Sequence, residues 1–245
     1  MGVCPDVFVT FLLWPVVFDA SGGIREELKV AKYGMVLDLT RCLGCYACVV
    51  ACKMCYGTRP DVNYNGVKRV EWGEYPEAHQ RYQLTMCMHC DNAPCVEVCP
   101  VKATTKTEEG PVVMDYEKCI GCGLCVQACP YDARTLVKDD ETAFEGKVMV
   151  YEEESAKRLN LVEKCTMCYA RAQQGLKPMC VDHCPGRARI HGDVSDPESE
   201  ISKYIAEHGA VQVEGTSIWI VAPADMPKEY LPLSLADAMA AKAAK

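Results

Sequence analysis

The chain has 245 residues, 49% of them apolar, and carries 26 basic against 34 acidic side chains for a formal net charge of −8. That length suits one domain or two modest ones. The acidic balance, with no dense basic run, argues against a nucleic-acid partner, and no stretch approaches the roughly eighteen apolar residues that a spanning helix needs.

Residues 7–18, VFVTFLLWPVVF, are apolar but too short for a membrane helix. A secretory signal would want a base ahead of such a run, and the first base is Arg25. One explanation is that residues 1–29 are an extension upstream of the true start. Val30, if its codon is GTG read as methionine, would open a chain MAKYGMVLDL. Sequencing the amino terminus of the protein checks this. Residues 31–39, AKYGMVLDL, alternate as a strand should, with 33–38 as its body.

Cysteine then dominates. There are 18, and 16 fall into four runs of four. The first run is Cys42, Cys45, Cys48 and Cys52, in RCLGCYACVVACK. The second is Cys87, Cys90, Cys95 and Cys99, in MCMHCDNAPCVEVCP. A strand is expected at 111–114, before the third run of Cys119, Cys122, Cys125 and Cys129, in KCIGCGLCVQACP. Further strands are expected at 134–137 and at 145–151 (EGKVMVY). The fourth run is Cys165, Cys168, Cys180 and Cys184, in KCTMCYARAQQGLKPMCVDHCP. SEISKYIAEHG (199–209) reads as a helix with Ile201, Tyr204 and Ile205 on one face and Gly209 as its stop. The tail SLADAMAAKAAK reads either as a docked helix or as a frayed end. Cys4 and Cys55 join no run; Cys55 reads as a spare thiol or as lining of the first module.

Spacing decides between disulfides, zinc and iron–sulfur clusters. Runs one and three have the C-x2-C-x2-C-x3-C pattern of cubane [4Fe-4S] proteins; runs two and four enlarge the middle loop and keep the closing C-x3-C-P. Two residues between cysteines let a tight turn present neighbouring thiolates to neighbouring irons. Gly44, Gly121 and Gly123 let the chain turn close to inorganic sulfide, and Pro100, Pro130 and Pro185 set the exits. A structural zinc site wants two separated pairs, so the third cysteine of each tight run would be surplus. Thiols this dense along the chain would also compete as disulfide partners in many connectivities.

In such proteins the fourth cysteine of a run serves the neighbouring cluster, so runs work in pairs. Spacing favours pairing two with three, as an inserted module, and one with four around it; one with two and three with four is the alternative. His89 and His183, inside or beside runs, read as packed histidines or as groups that tune a cluster. Lys118 and Lys164 precede runs and Arg187 and Arg189 follow one. They either offset the charge of reduced clusters or are ordinary surface bases.

The stretches YGMVLDLTRCLGCYACVVACK, CMHCDNAPCVEVCPVKA, VVMDYEKCIGCGLCVQACPYDAR, EKCTMCYARAQQGLKPMCVDHCPGRARIHGD and DPESEISKYI resemble the four-cluster electron-transfer subunit of the molybdopterin oxidoreductases, the group that includes dimethyl sulfoxide, polysulfide, thiosulfate, tetrathionate and arsenate reductases. The resemblance covers roughly residues 31–205. It implies the nested pairing. Cys42, Cys45, Cys48 and Cys184 would hold one [4Fe-4S] cluster, and Cys52, Cys165, Cys168 and Cys180 another. Cys87, Cys90, Cys95 and Cys129 would hold a third, and Cys99, Cys119, Cys122 and Cys125 the fourth. Nitrate-reductase-type relatives have Trp at the second position of the third run and a three-iron cluster; Cys122 here implies four full cubanes.

The expected fold is α+β: two bacterial-ferredoxin-like modules, one nested in the other, with irregular loops around four clusters. The outer module takes 30–75 and 155–195 and the inner 76–140. A linker strand (141–154) and a C-terminal helix with a partner-docking tail (196–245) complete the scheme. The function expected is electron relay, without catalysis, between a large molybdopterin (Mo or W) catalytic subunit and a second redox partner. That partner is a membrane subunit with quinone or haem, or a soluble carrier. A free-standing polyferredoxin is the alternative. Assembly is expected in the cytoplasm; the final site is the cytoplasm or, by co-export with the catalytic partner, the outer face of the inner membrane or the periplasm.

Overall fold

The computed structural model describes residues 30–138, 144, 147 and 149–244. The extension with Cys4 lies outside them. β1 (Tyr33–Asp38) leads into the first cysteine run, whose second half is α1 (Ala47–Tyr56), and β2 (Asn65–Trp72) follows. β3 (His79–Met86) leads into the second run, which contains α2 (Pro94–Glu97) and is followed by β4 (Thr104–Lys106). β5 (Val112–Met114), α3 (Leu124–Ala128) and β6 (Arg134–Leu136) repeat that order around the third run. After α4 (Glu153–Ala156), β7 (Val162–Lys164) leads into the fourth run, with α5 (Tyr169–Ala172), α6 (Met179–Asp182) and then β8 (Arg189–Asp193). α7 (Glu200–His208), β9 (Val211–Gln212), β10 (Ile218–Val221) and α8 (Leu235–Ala243) come after it.

The strand pairing is cyclic. β2 pairs with β3, β4 with β5, and β6 with β7, all antiparallel. β8 returns to pair antiparallel with β1. Each strand that leaves a cysteine run therefore pairs with the strand that enters the next, and the fourth closes on the first. This gives a mixed α and β fold of small sheets and short helices.

Among the described residues only the closing pair grows into a larger sheet, ordered β8-β1-β10-β9, in which β10 lies parallel to β1. Alternation sends Met35 and Leu37 of β1 into the main core and Val36 to the opposite face, against Ile190 and Ile201. Ile201 belongs to α7, the helix expected over 199–209. The Ser199 side chain accepts from Ser202 N–H at its start, and Gly209, at φ 60, ends it. Tyr204 and Ile205 pack on the same small core, and the Tyr204 hydroxyl donates to Asp38 at 2.6 Å. Burying Ile201 is worth roughly 1.5–3 kcal/mol.

Three other expectations are resolved. The strands at 111–114 and 134–137 form as β5 and β6. The strand at 145–151 lies largely outside the described residues, and its end is not a strand: Val150–Glu152 form a 3-10 turn that runs into α4. The reason is local. Met149 N–H donates to the Glu152 carboxylate at 2.9 Å while Glu152 N–H donates to the Met149 carbonyl at 2.7 Å, which closes a turn. The tail is a docked helix: Ser234 caps α8, Leu235 and Ala238 are buried, and the Lys242 ammonium donates to the Cys129 carbonyl at 2.8 Å and to Asp132 at 2.6 Å. No helix among the described residues is long and apolar enough to cross a membrane.

His191 of β8 sits opposite Met35, buried, with its ring stacked on Tyr33 at a centroid distance of 5.3 Å. Burial, with His89 nearby adding to it, holds its pKa down at about 4. An unfolded histidine titrates near about 6.5, so this depressed group contributes stability above that pH and loses it as the pH falls toward the folded value. The full shift corresponds to about 3 kcal/mol. His191→Phe keeps the stacking and removes the proton site. The wild-type unfolding midpoint should therefore fall more between pH 7 and pH 5 than the variant's; equal slopes would remove His191 as a cause.

Candidate metal centres

Each run begins with the same backbone device. The residue before the second cysteine is left-handed in all four: Gly44 (φ 66), His89 (φ 48), Gly121 (φ 66) and Met167 (φ 58). That conformation folds the chain back so that two thiols with two residues between them point the same way. Gly121 has no alternative. A Cβ there would lie 1.9 Å from the Asn160 carbonyl oxygen, whereas Gly209, at a similar φ, has open space around it. Gly209→Ala should cost only the left-handed strain, about 1–3 kcal/mol. Gly121→Ala should cost that plus the displacement of a backbone carbonyl, and should lose iron as well. Unfolding midpoints and iron content of the two purified variants measure this, and equal losses would contradict it.

Three of the runs end alike too. Cys99, Cys129 and Cys184 are each followed by proline, and the third residue on is left-handed: Lys102 (φ 51), Asp132 (φ 49) and Arg187 (φ 48). The next N–H, of Ala103, Ala133 or Ala188, donates back to the cysteine sulfur at 3.2, 3.4 and 3.2 Å respectively. The residue after that starts a strand, as Thr104, Arg134 or Arg189.

These turns and strands gather the cysteines across runs. Cys42, Cys45 and Cys48 line a cavity together with Cys184 and Arg189. Cys52 joins Cys165, Cys168 and Cys180 around a second. Cys90 faces Cys87, Cys95 and Cys129 closely enough for their charges to interact. Cys125 faces Cys119 in the same sense. α2, followed by Cys99, packs on α3, preceded by Cys122. The groups also come within electrostatic range in sequence: Cys180 of Cys48, Cys165 of Cys87, and Cys125 of Cys95.

Exposure follows that order. Cys52, Cys165, Cys168 and Cys180 are buried, as are Cys87, Cys90, Cys95 and Cys129. Of the first group only Cys48 is buried and Cys45 is exposed; among Cys99, Cys119, Cys122 and Cys125 only Cys125 is buried and Cys122 is exposed. Burial pushes the thiols of Cys52, Cys165 and Cys180 above their ordinary value, and that of Cys90 to about 12. Such thiols become thiolates when a metal displaces the proton.

The donor set fits iron–sulfur clusters. The thiols of the first two groups ring cavities instead of converging on a point; among the described residues no three His, Cys, Asp or Glu side chains are placed to share one ion. Backbone N–H groups aim at sulfur, as also from Met167 to Cys165 at 3.3 Å. Nε and Nη2 of buried Arg189, which lines the first cavity, have no hydrogen-bond partner among the described residues. An anionic group in that cavity would satisfy them.

Of the other singled-out residues, His89 is buried and its Nδ1 accepts from Val112 N–H at 2.9 Å. His183 is exposed, its Nδ1 3.1 Å from the Met179 carbonyl. Lys118 and Arg187 are surface bases, Lys118 paired with Asp115 at 2.7 Å. Lys164 and Arg189 are buried. Cys55 is partly buried on α1 against the main core and lines neither cavity. Sequence reasoning missed Arg134, although CPYDAR and CPGRAR carry it and Arg189 at the same offset.

Comparison with known proteins agrees with this chemistry. Residues 112–135 and 39–57 match family models described as "4Fe-4S binding domain", and residues 147–194 match a "4Fe-4S dicluster domain". The chain is 39% identical over 198 residues to a subunit of the tetrathionate reductase of Salmonella typhimurium, covering 78% of this chain and 70% of that one. The chain belongs to the iron–sulfur subunits of the molybdopterin oxidoreductases. Within that family it is 36% identical to a subunit of the selenate reductase of Mesobacillus selenatarsenatis (77% of this chain, 69% of that one). It is 34% identical to the arsenate respiratory reductase iron–sulfur subunit of a Shewanella species (75% and 91%). As an iron–sulfur subunit it relays electrons and is not itself an enzyme.

Proposed function

We propose that this iron–sulfur subunit holds four [4Fe-4S] clusters in a single file, in two nested ferredoxin-like modules. Cys42, Cys45, Cys48 and Cys184 hold the first; Cys52, Cys165, Cys168 and Cys180 the second; Cys87, Cys90, Cys95 and Cys129 the third; and Cys99, Cys119, Cys122 and Cys125 the last. A cubane cluster supplies one-electron uptake and release without making or breaking a substrate bond. The chain's own part is to fix positions, exclude water and present two ends. The observation that carries this reading is the gradient of exposure: eight cysteines buried in the middle of the series, with Cys45 and Cys122 exposed at its ends.

Apolar side chains surround both ends. Leu43, near Cys45, is 64% exposed, and Ile120, near Cys122, is 63% exposed. Those are the surfaces for the two redox partners, a large molybdopterin subunit and an electron carrier or membrane subunit. The names of the relatives, each one subunit of a reductase, support this. The test is an iron and acid-labile sulfide count on anaerobic protein, with electron paramagnetic resonance of the reduced state. The reading expects sixteen irons per chain on the ligand arithmetic above. A count well below that, or stoichiometric zinc, would overturn the ligand scheme. Purification without any large partner would favour the free-standing polyferredoxin instead.

A further inference from the structure

Four cations are buried among the described residues; Arg59 lies in the loop between α1 and β2, and the other three stand one to a junction between cysteine groups. Arg189 is 2% exposed, and its charge acts on Cys48 of the first group and on Cys180 and Cys165 of the second. Its Nη1 donates to the thioether of Met86, at 3.4 Å. Lys164 is 1% exposed. Its ammonium donates to the carbonyls of Val112 and Cys165, and its charge acts on Cys165 of the second group and Cys87 of the third. Arg134 is 4% exposed, donates to the sulfur of Cys95 at 3.0 Å and to Thr104 at 3.2 Å, and acts on Cys125 of the last group.

Neither arginine forms a salt bridge with a carboxylate among the described residues. A buried charge without a counter-ion is costly, and arginine does not escape that cost by losing its proton. Among the described residues, the thiolate-rich groups on either side are the anions the geometry offers them. The offset repeats: Arg134 and Arg189 each stand five residues after the last cysteine of a run, at the first position of a strand. Thr104 occupies that position after the second run and instead receives a hydrogen bond from Arg134. Lys118, which precedes the third run as Lys164 precedes the fourth, lies at an end of the series and is exposed.

We propose that Arg189, Lys164 and Arg134 are positioning residues of the electron path, each holding one positive charge between two neighbouring clusters and raising the reduction potentials of both. A cluster bound by four thiolates is anionic and gains one further negative charge for each electron it takes from its neighbour, which is oxidised by one. In a low-dielectric interior two adjacent reduced clusters repel strongly. A cation between them favours the reduced form of each, so an electron on one cluster does not shut out the next.

This rests on the four-cluster reading, and the test separates the two. The charge-removing variants Arg189→Gln, Lys164→Gln and Arg134→Gln are titrated anaerobically, with each cluster's midpoint followed by electron paramagnetic resonance and with iron counted in the same samples. Arg189→Gln should lower the midpoints of the first and second clusters, Lys164→Gln of the second and third, and Arg134→Gln of the third and fourth, leaving the other two unchanged in each case. Arg189→Lys and Arg134→Lys should keep wild-type potentials. Unchanged midpoints in iron-replete Gln variants overturn the proposal, as does a uniform shift of all four. Where a Gln variant loads less iron, the charge-keeping variant at that position decides (Arg189→Lys, Arg134→Lys or Lys164→Arg): wild-type potentials with full iron support the charge role, and displaced potentials overturn it in favour of shape. A wild-type protein with fewer than four clusters would instead overturn the underlying ligand scheme.

Discussion

Stripped of iron by anaerobic chelation, the protein should lose its cooperative fold. The main core explains why. Of its buried members, nine are cysteines: Cys48, Cys52, Cys87, Cys90, Cys95, Cys125, Cys165, Cys168 and Cys180. Cys48, Cys52, Cys165, Cys168 and Cys180 line the two cavities, so that part of the core is closed only across the clusters. The elements between them are too short to stand alone. α2, α5 and α6 have four residues each and β4, β5, β6 and β7 three each. A helix of one turn or an isolated strand pair is marginal in water. Without anions in the cavities, Arg134, Lys164 and Arg189 also become buried charges with nothing to offset them. Ligation free energy is absent from the unfolded chain, so here it is folding free energy. Circular dichroism of iron-free and iron-replete protein during heating is the measurement. A cooperative transition of native amplitude in the iron-free sample would contradict the expectation.

The second large effect should separate the middle of the path from its ends. Cys180→Ala and Cys45→Ala each remove one thiolate, and each should cost one cluster, read as four irons lost per chain. Their consequences for the fold should differ. Cys180 is buried on α6 and shares its cavity with Met35, Tyr64 and Met86 of the main core, whereas the first cavity opens to solvent at Cys45. Emptying an interior cavity strips core side chains of their contacts at about 2–5 kcal/mol, a large share of a domain's typical stability, so Cys180→Ala should scarcely accumulate as soluble protein. Cys45 is exposed, so Cys45→Ala should fold with three clusters and lose electron transfer at that end only. Soluble yield, iron content and reduction by a dye that reacts at exposed clusters measure the difference. Equal yields for the two variants would mean that the second group is not interior.

The features legible in the sequence are those whose causes are local. Cysteine spacing, the turn glycines and the proline exits act over a few residues, so all four runs could be located. The same holds for β1 and for α7, where periodicity, an N-cap serine and a C-terminal glycine agree. What was not legible depends on distant chain. β2 and β3 read NGVKRVEW and HQRYQLTM, too polar to announce a buried face, and they exist because they pair with each other across the turn at 73–78. The partnership of β1 with β10 joins residues far apart in the chain and leaves no local mark. Lys118 and Lys164 occupy the same position relative to their runs, yet one is solvated and the other sealed in. Only the tertiary arrangement distinguishes an end of the series from a junction. Arg134 was overlooked because a single arginine after a cysteine run looks like an ordinary base until it is aligned with Arg189.

The closing of the strand cycle has a consequence for the order in which the protein can be made. Synthesis delivers the amino-terminal part of a chain first. The second and third runs, with β4 and β5 between them, lie close along the chain and can come together early. β1 and the first three cysteines leave the ribosome before them, yet the partners of β1, β8 and β10, and the thiol that shares its cavity, Cys184, emerge last. For most of its synthesis the nascent polypeptide therefore trails an unpaired, apolar strand and a set of unsatisfied thiols. On the proposed ligand scheme, iron delivery to the outer positions waits for the chain's final third, where Cys184 completes the first set.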